Sequence, residues 1–226
     1  CEVLYAASPD LLRTAPATLK WYCASAAGVD AYCRDESLFA NPNCLLSNSN
    51  AYGVTIAEHT VMVTLMLLRQ MPAYLDAARA HRWVAPAPVR SIHGCRVTIL
   101  GTGDLGGNIA RRMRGMGAEK ITGLSRSGKA REAAIFDETY PISQLDRLLS
   151  DAELLVMALP NTPETVNILN RERIARLPKN AIVINVGRGS ALDQAALAEA
   201  LNTDRIAGAA LDVVDPEPLP ENDPLW

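Results

Sequence analysis

Three glycines stand at the spacing G-x-G-x-x-G in Gly101-Thr-Gly103-Asp-Leu-Gly106, directly after the apolar run Arg96 to Leu100 and directly before a helical pattern. The spacing alone is weak evidence; between a strand and a helix it acquires a mechanism. Gly101 permits the tight turn, Gly103 lets the backbone approach a pyrophosphate, and Gly106 lets helix and strand pack closely. The free N–H groups and positive dipole end of the helix then hold phosphates. Leu105 and Asp104 complete the turn; the Asp104 carboxylate is expected to point to solvent, leaving phosphate binding to backbone amides. A tight βα turn without a ligand is the alternative. A second polar group, Ser125-Arg126-Ser127-Gly128-Lys129, follows the next apolar run. An Asp or Glu about 20 residues past the glycine turn accepts from a ribose 2′-OH, whereas an Arg accommodates a 2′-phosphate. No carboxylate stands in this loop, and Arg126 lies 20 positions past Gly106. A guanidinium matches phosphate geometry, and Ser125 and Ser127 can add donors. The loop chemistry favours NADP over NAD; a solvated polar loop is the alternative. Arg188, between Gly187 and Gly189 after the run AIVIN, sits where open α/β sheets place ligands. It suits a planar, two-pronged partner such as a carboxylate, against the alternative of a surface charge.

These groups require elements to hold them. Within residues 1–50, VLYA, LKWYCAS and CLLSNS read as strands separated by short helical or loop stretches such as SPDLLRTAP. Residues 51–71 read as one long helix ended by Pro72, apolar on nearly every side and therefore expected to be buried between domains or subunits. VAPAPVRS, with Pro86 and Pro88, reads as an extended connector. From Arg96 the pattern becomes βα: RVTIL, KITGL, LLVMALP, AIVINVG and IAGAALDVV alternate with helical segments such as NIARRMRGM, SQLDRLLS and ALAEALN. This alternation predicts an α/β fold, a Rossmann-type doubly wound parallel sheet covered on both faces. The expected division is residues 1–50 as one domain and 51–226 as a dinucleotide-binding domain.

Composition narrows the function classes. Of 226 residues 49% are hydrophobic and 21% charged, and the net charge of −3 argues against a nucleic-acid partner, which usually meets a basic face. The longest apolar stretch, Val61 to Leu68, is too short to span a bilayer, so no membrane association is expected. Five cysteines, Cys1, Cys23, Cys33, Cys44 and Cys95, show no CxxC pair and read as free thiols in a reducing cytoplasm.

Six segments in order carry a resemblance that spans most of the chain: LKWYCASAAGVD (19–30), NAYGVTIAEHTVMVTLMLLRQMP (50–72), GTGDLGG (101–107), LPNTPETVNIL (159–169), NVGRGSALD (185–193) and AALDVVDPEPLPENDPLW (209–226). The chain resembles the D-isomer-specific 2-hydroxyacid dehydrogenases, which include glycerate and phosphoglycerate dehydrogenases and glyoxylate/hydroxypyruvate reductases. The resemblance implies hydride transfer between NAD(P)H and a small 2-oxo acid or D-2-hydroxy acid. It implies that residues 1–50 are a second, incomplete flavodoxin-like α/β substrate-binding domain, and that a homodimer forms around the long helix and the HRW segment. By resemblance, Arg188 binds the substrate's carboxylate and carbonyl oxygen, and the amides of the Ala27-Gly28-Val29 turn hold the carboxylate's other side. Leu159, Pro160 and Thr165 belong to the loop under the nicotinamide, Val186 joins them, and Asp212 lies near the nicotinamide amide. Glu217, which alone reads as a loop carboxylate, matches the acid that orients a proton-donating histidine.

In the family that histidine lies downstream of the segment matching DPLW, and Trp226 is the last residue here. The chain is expected to lack it, with segments absent at both ends. His59 in the long helix reads as structural, and His81 and His93 as surface or interface positions. Asn161 stands where the family commonly has an apolar residue. A catalytically silent, NAD(H)-sensing corepressor of the same fold, or a bare Rossmann binding module, remains as the alternative.

Overall fold

The computed structural model describes residues 1–33, 36–85 and 88–226, with the side chains of Cys33 and Glu36 left aside. Pro86 of the expected connector and the Cys33 thiol therefore lie outside the described residues. The chain divides into two compact units, residues 1–53 and 54–226.

In the first unit β1 (Val3–Ala6), β2 (Trp21–Ala24) and β3 (Leu45–Ser47) form a parallel sheet in the order β1-β2-β3. Short helices α1 (Asp10–Arg13) and α2 (Asp30–Cys33) fill two of the connections. Because side chains alternate across a strand, the register Leu4↔Tyr22↔Leu46 puts these residues on one face. That face packs on Leu12, Leu19, Tyr32 and Leu38, and the buried Tyr22 hydroxyl donates to the Ser8 carbonyl at 2.7 Å. The opposite face presents Val3, Tyr5, Trp21 and Leu45, all exposed.

The second unit opens with α3 (Gly53–Leu68) and α4 (Met71–Arg79). Six strands follow, β4 (Arg96–Leu100), β5 (Lys120–Ser125), β6 (Glu138–Pro141), β7 (Leu154–Met157), β8 (Ile182–Asn185) and β9 (Gly208–Leu211). All pairings are parallel, in the order β6-β5-β4-β7-β8-β9, so the chain winds outward in both directions from β4. This is the doubly wound α/β arrangement, whose crevice opens at the carboxyl ends of β4 and β7 where the winding reverses. Between strands run α5 (Asp104–Gly115), α6 (Leu145–Leu148), α7 (Arg171–Ile174) and α8 (Gln194–Asn202). Strands β7 and β8 are buried at every position, as a sheet covered on both faces demands. One core packs Val97, Ile99, Ile121 and Val156 under α3 and α5; the other packs Leu100, Leu124, Leu155 and Val183 under α6, α7 and α8.

One expectation about the long helix fails. It ends at Leu68, Gln70 turns left-handed at φ 52°, and Pro72 stands in the first turn of α4 rather than beyond a helix end. Proline suits that place, since the first-turn N–H has no intrahelical acceptor to lose. Within this one chain Ala57, Thr60, Thr64 and Leu68 form the buried stripe of α3, while Val54 and Met62 are exposed. The two threonine hydroxyls in the stripe are satisfied within the helix, Thr60 by Ile56 O at 2.8 Å and Thr64 by Thr60 O at 2.6 Å.

Candidate functional site

The glycine turn joins β4 to α5. Gly101 has φ +101°, and a Cβ there would lie 2.4 Å from the Ala158 carbonyl oxygen. A Cβ on Gly106 would lie 1.8 Å from the Gly101 carbonyl oxygen, so the helix closes onto the turn more tightly than any side chain allows. At Gly103 the opposite holds: nothing lies within 4 Å of an added Cβ. Gly103 also precedes α5 without a capping side chain, and the first intrahelical bond runs from Gly107 N to Gly103 O. The amides of Asp104, Leu105 and Gly106 are thus the unpaired first-turn donors that favour an anion. Asp104 does not point freely to solvent. It is only partly exposed, and its carboxylate stands 3.8 Å from Arg131 Nη1.

Beyond β5 the 125–131 loop folds back on this turn. Thr102 Oγ1 and Ser125 Oγ both donate to Lys129 O at 2.9 Å, and Arg131 N donates to Thr102 O at 3.1 Å. Ser127 Oγ accepts from Lys129 N at 3.3 Å, so both serines brace the loop in addition to any ligand role. Arg126 is exposed, and its charge reaches the 159–169 loop. Glu164 there is held below the usual carboxylate range by the Thr162 hydroxyl and its own backbone N–H, then by Arg126. Within that loop Thr165 Oγ1 donates to Pro160 O at 2.6 Å and accepts from Thr162 N at 2.8 Å. Thr165 is therefore the staple of the loop that Leu159 and Pro160 open.

At the end of β8, Arg188 is pinned from both sides. A Cβ on Gly187 would lie 2.6 Å from Leu159 O, and one on Gly189 would lie 2.1 Å from Val214 O. Buried Asn185 completes the support, a role that sequence reasoning did not assign. Its Nδ2 donates to Arg188 O at 2.8 Å, its Oδ1 accepts from Gly187 N at 3.0 Å, and its carbonyl accepts from Asp212 N at 2.9 Å. An asparagine interrupting the apolar run IVIN was the signal. Arg188 Nη1 donates to Gly187 O at 2.8 Å. Glu217 Oε1 accepts from Val214 N at 3.2 Å, which ties it to the segment pressed on Gly189. Val186 is buried and hydrogen-bonds Met157 O at 3.0 Å, joining the Arg188 segment to β7. Thus Gly101, Leu159, Val186, Arg188, Asp212 and Glu217 gather along the carboxyl edge of one sheet.

The Ala27-Gly28-Val29 turn belongs to the first unit, between β2 and α2, where Ala27 O accepts from Asn48 Nδ2 at 2.7 Å. Of the histidines, His81 and His93 are exposed. The His59 side chain is 37% exposed, and its Nε2 stands 3.7 Å from Asp212 Oδ1. Among the described residues no group of three or more His, Cys, Asp or Glu side chains is placed to hold a metal ion, and no helix is long and apolar enough to cross a membrane.

Comparison with known proteins agrees with this geometry. Residues 61–226 match the family described as D-isomer specific 2-hydroxyacid dehydrogenase, NAD binding domain. Glyoxylate/hydroxypyruvate reductase A of Salmonella paratyphi B is 32% identical over 96% of this chain and 70% of its own length. A D-isomer specific 2-hydroxyacid dehydrogenase family protein from Aeromonas salmonicida superposes at TM-score 0.85 with 34% identity, over 100% of this chain and 72% of that one. An NADPH-dependent glyoxylate/hydroxypyruvate reductase from Sinorhizobium meliloti, solved with NADP and sulfate, gives TM-score 0.81 and 33% identity over 98% and 72%. The chain spans only 34% to 70% of the length of the curated relatives it matches. The α/β architecture, the glycine turn and these matches together make the chain a member of the D-isomer-specific 2-hydroxyacid dehydrogenase family, carrying its NAD(P)-binding domain.

Proposed function

We propose that the protein transfers a hydride from NADPH to a small 2-oxo acid such as glyoxylate or hydroxypyruvate, giving the D-2-hydroxy acid. One observation carries the reading: an uncapped helix start behind the glycine turn and an arginine pinned between two backbone contacts share the carboxyl edge of one sheet. The uncrowded Gly103 would let a pyrophosphate approach the backbone, and the α5 amides would hold it. Arg126, with no carboxylate beside it in its loop, would hold a 2′-phosphate, and the NADP-bound relative supports that choice over NAD. Leu159, Pro160, Val186 and Asp212 would hold the nicotinamide end. The bound cofactor supplies the hydride.

Arg188 binds the oxo acid's carboxylate and carbonyl oxygen, polarising the carbonyl and stabilising the developing alkoxide. Its backbone is fixed by Gly187, Gly189 and Asn185, so little reorganisation is needed. Glu217 would orient the proton donor; none of the described residues is assigned that donor role. The Ala27-Gly28-Val29 turn is proposed to contribute amides to substrate binding on its resemblance alone. Cytoplasmic residence is proposed from the scattered cysteines. A homodimer is proposed from the resemblance and from the exposed apolar side chains of Met71, Leu75, Trp83, Val84 and Val89.

The test follows nicotinamide absorbance for NADPH and NADH with glyoxylate and hydroxypyruvate, in the wild type and Arg188→Lys. NADPH oxidation should depend on the oxo acid. The lysine variant should lose about 100-fold in kcat/KM, the worth of about 2.7 kcal/mol of charge-assisted contact, with cofactor affinity kept. In a protein that carries the proton donor, tight cofactor binding with no oxo-acid-dependent oxidation would instead favour the sensing or binding-module alternative.

A further inference from the structure

The pair formed by His59 and Asp212 is used by nothing described so far. His59 lies on α3, in the turn between Ala57 and Thr60 of its buried stripe, and it reaches the segment that follows β9. Its Nε2 is 3.7 Å from Asp212 Oδ1, and both side chains are partly exposed, at 37% and 45%. The approach is longer than a hydrogen bond and short enough for an ion pair or for a small rotation into one. The Asp212 backbone is already fixed, since its N–H donates to Asn185 O at 2.9 Å. What remains free in Asp212 is rotation of its carboxylate, and the imidazole faces one of the two oxygens.

We infer that His59 is a positioning residue, which holds Asp212 Oδ1 so that Oδ2 is presented to the amide of the nicotinamide. The inference rests on the proposed role of Asp212 in holding that amide. A carboxylate accepts through two oxygens, and engaging one with a donor restricts the rotamers available to the other. Asn185 then makes the arrangement continuous. The same residue that anchors the Asp212 N–H holds Gly187 N and Arg188 O, so the group that positions the cofactor end and the arginine that positions the oxo acid share one buried support. Through His59 that support is extended to α3, the helix buried against β4 and β7 in one core.

The experiment compares the wild type with His59→Ala, His59→Gln, Asp212→Asn and the His59→Ala/Asp212→Asn double variant. Calorimetry gives the Kd of NADPH and of 2′-phospho-ADP-ribose, which keeps the phosphates and lacks the nicotinamide. Thermal unfolding without ligand is read alongside. Asp212→Asn and His59→Ala should each weaken NADPH about fivefold, the upper range for one partly exposed charged contact. Binding of 2′-phospho-ADP-ribose should stay unchanged. The double variant should be no weaker than either single one, because both remove the same arrangement. His59→Gln, whose amide can still donate to the carboxylate, should recover most of the loss. If Asp212→Asn weakens NADPH and His59→Ala does not, the inference falls while the role of Asp212 stands. If Asp212→Asn leaves NADPH affinity intact, the proposed role of Asp212 fails and takes the inference with it. Equal losses for both ligands with a lowered unfolding temperature, unrescued by glutamine, would make His59 a packing residue only.

Discussion

Gly103→Ala separates ligand space from packing space. The backbone there, at φ −78° and ψ −153°, is extended and open to an L side chain, and an added Cβ meets no atom within 4 Å. Alanine should restrict the unfolded chain and stabilise by about 0.4–1 kcal/mol. Against this, alanine is a poorer helix N-cap than glycine, at a cost of about 0.5–1 kcal/mol. The two terms nearly cancel, so the unfolding temperature of the unliganded protein should move by no more than about 3 °C. Cofactor binding should respond quite differently. A methyl group standing where the pyrophosphate approaches removes charge-assisted amide contacts worth about 1.5–3 kcal/mol, which is roughly a 10- to 100-fold loss in affinity. Gly106→Ala is the contrasting control. Its Cβ would lie 1.8 Å from backbone oxygen, so α5 must shift and stability should fall by about 1–3 kcal/mol together with affinity. The assay is thermal unfolding paired with NADPH titration. Wild-type affinity in Gly103→Ala would refute the reasoning, because the open space would then not be the phosphate's approach. A stability loss equal to that of Gly106→Ala would refute it equally, because the space would be structural.

Three further outcomes follow from the geometry. Gly189→Ala places a Cβ 2.0 Å from the Val214 carbonyl carbon, so it should lower the unfolding temperature and raise KM for the oxo acid more than Kd for NADPH, measured by melting and steady-state kinetics. Arg173 binds Asp146 through Nε at 2.9 Å and Nη2 at 3.2 Å, and this hydrogen bonding, followed by its charge, holds the Asp146 carboxyl below its usual range. Because the folded-state pKa is depressed, that stabilisation is complete above the unfolded value near 4 and is lost as pH falls through the folded value; Asp146→Asn should flatten melting temperature against pH in that acidic window and nowhere above it. Trp83, fully exposed, should matter to assembly: Trp83→Ser should shift the protein toward monomer in size-exclusion chromatography with light scattering, and an unchanged mass would count against the proposed dimer face.

Much of the second unit could be read in advance because its strands are buried on both faces. RVTIL, LLVM and IVIN are apolar runs for that reason, and the glycine turn stands between a clear strand and a clear helix. Strand β6 escaped notice because it is an edge strand with one partner, and its sequence ETYP carries no apolar run. The break between α3 and α4 was hidden because Gln70, not a glycine, adopts the left-handed conformation, and Pro72 then reads as an end when it is a beginning. The site residues whose chemistry is intrinsic, such as Arg188 and the glycines, were visible from type and spacing. Asn185, which acts by holding another backbone, was not, since an amide acquires that job only when distant segments meet. The neighbour of His59 was hidden for the same reason: nothing in AEH says that Asp212, far along the chain, stands beside it.

The two glycines around Arg188 also limit how this protein can change. With backbone oxygen 2.6 Å from one absent Cβ and 2.1 Å from the other, positions 187 and 189 admit no other residue without displacing the Leu159 or Val214 segment. Arg188 is thus a fixed pivot rather than an adjustable contact. In the proposed role of Arg188, a new substrate would have to be accommodated by the side chains around the guanidinium's reach, and a mutant library aimed at altered substrate scope gains nothing by sampling the pivot's neighbours.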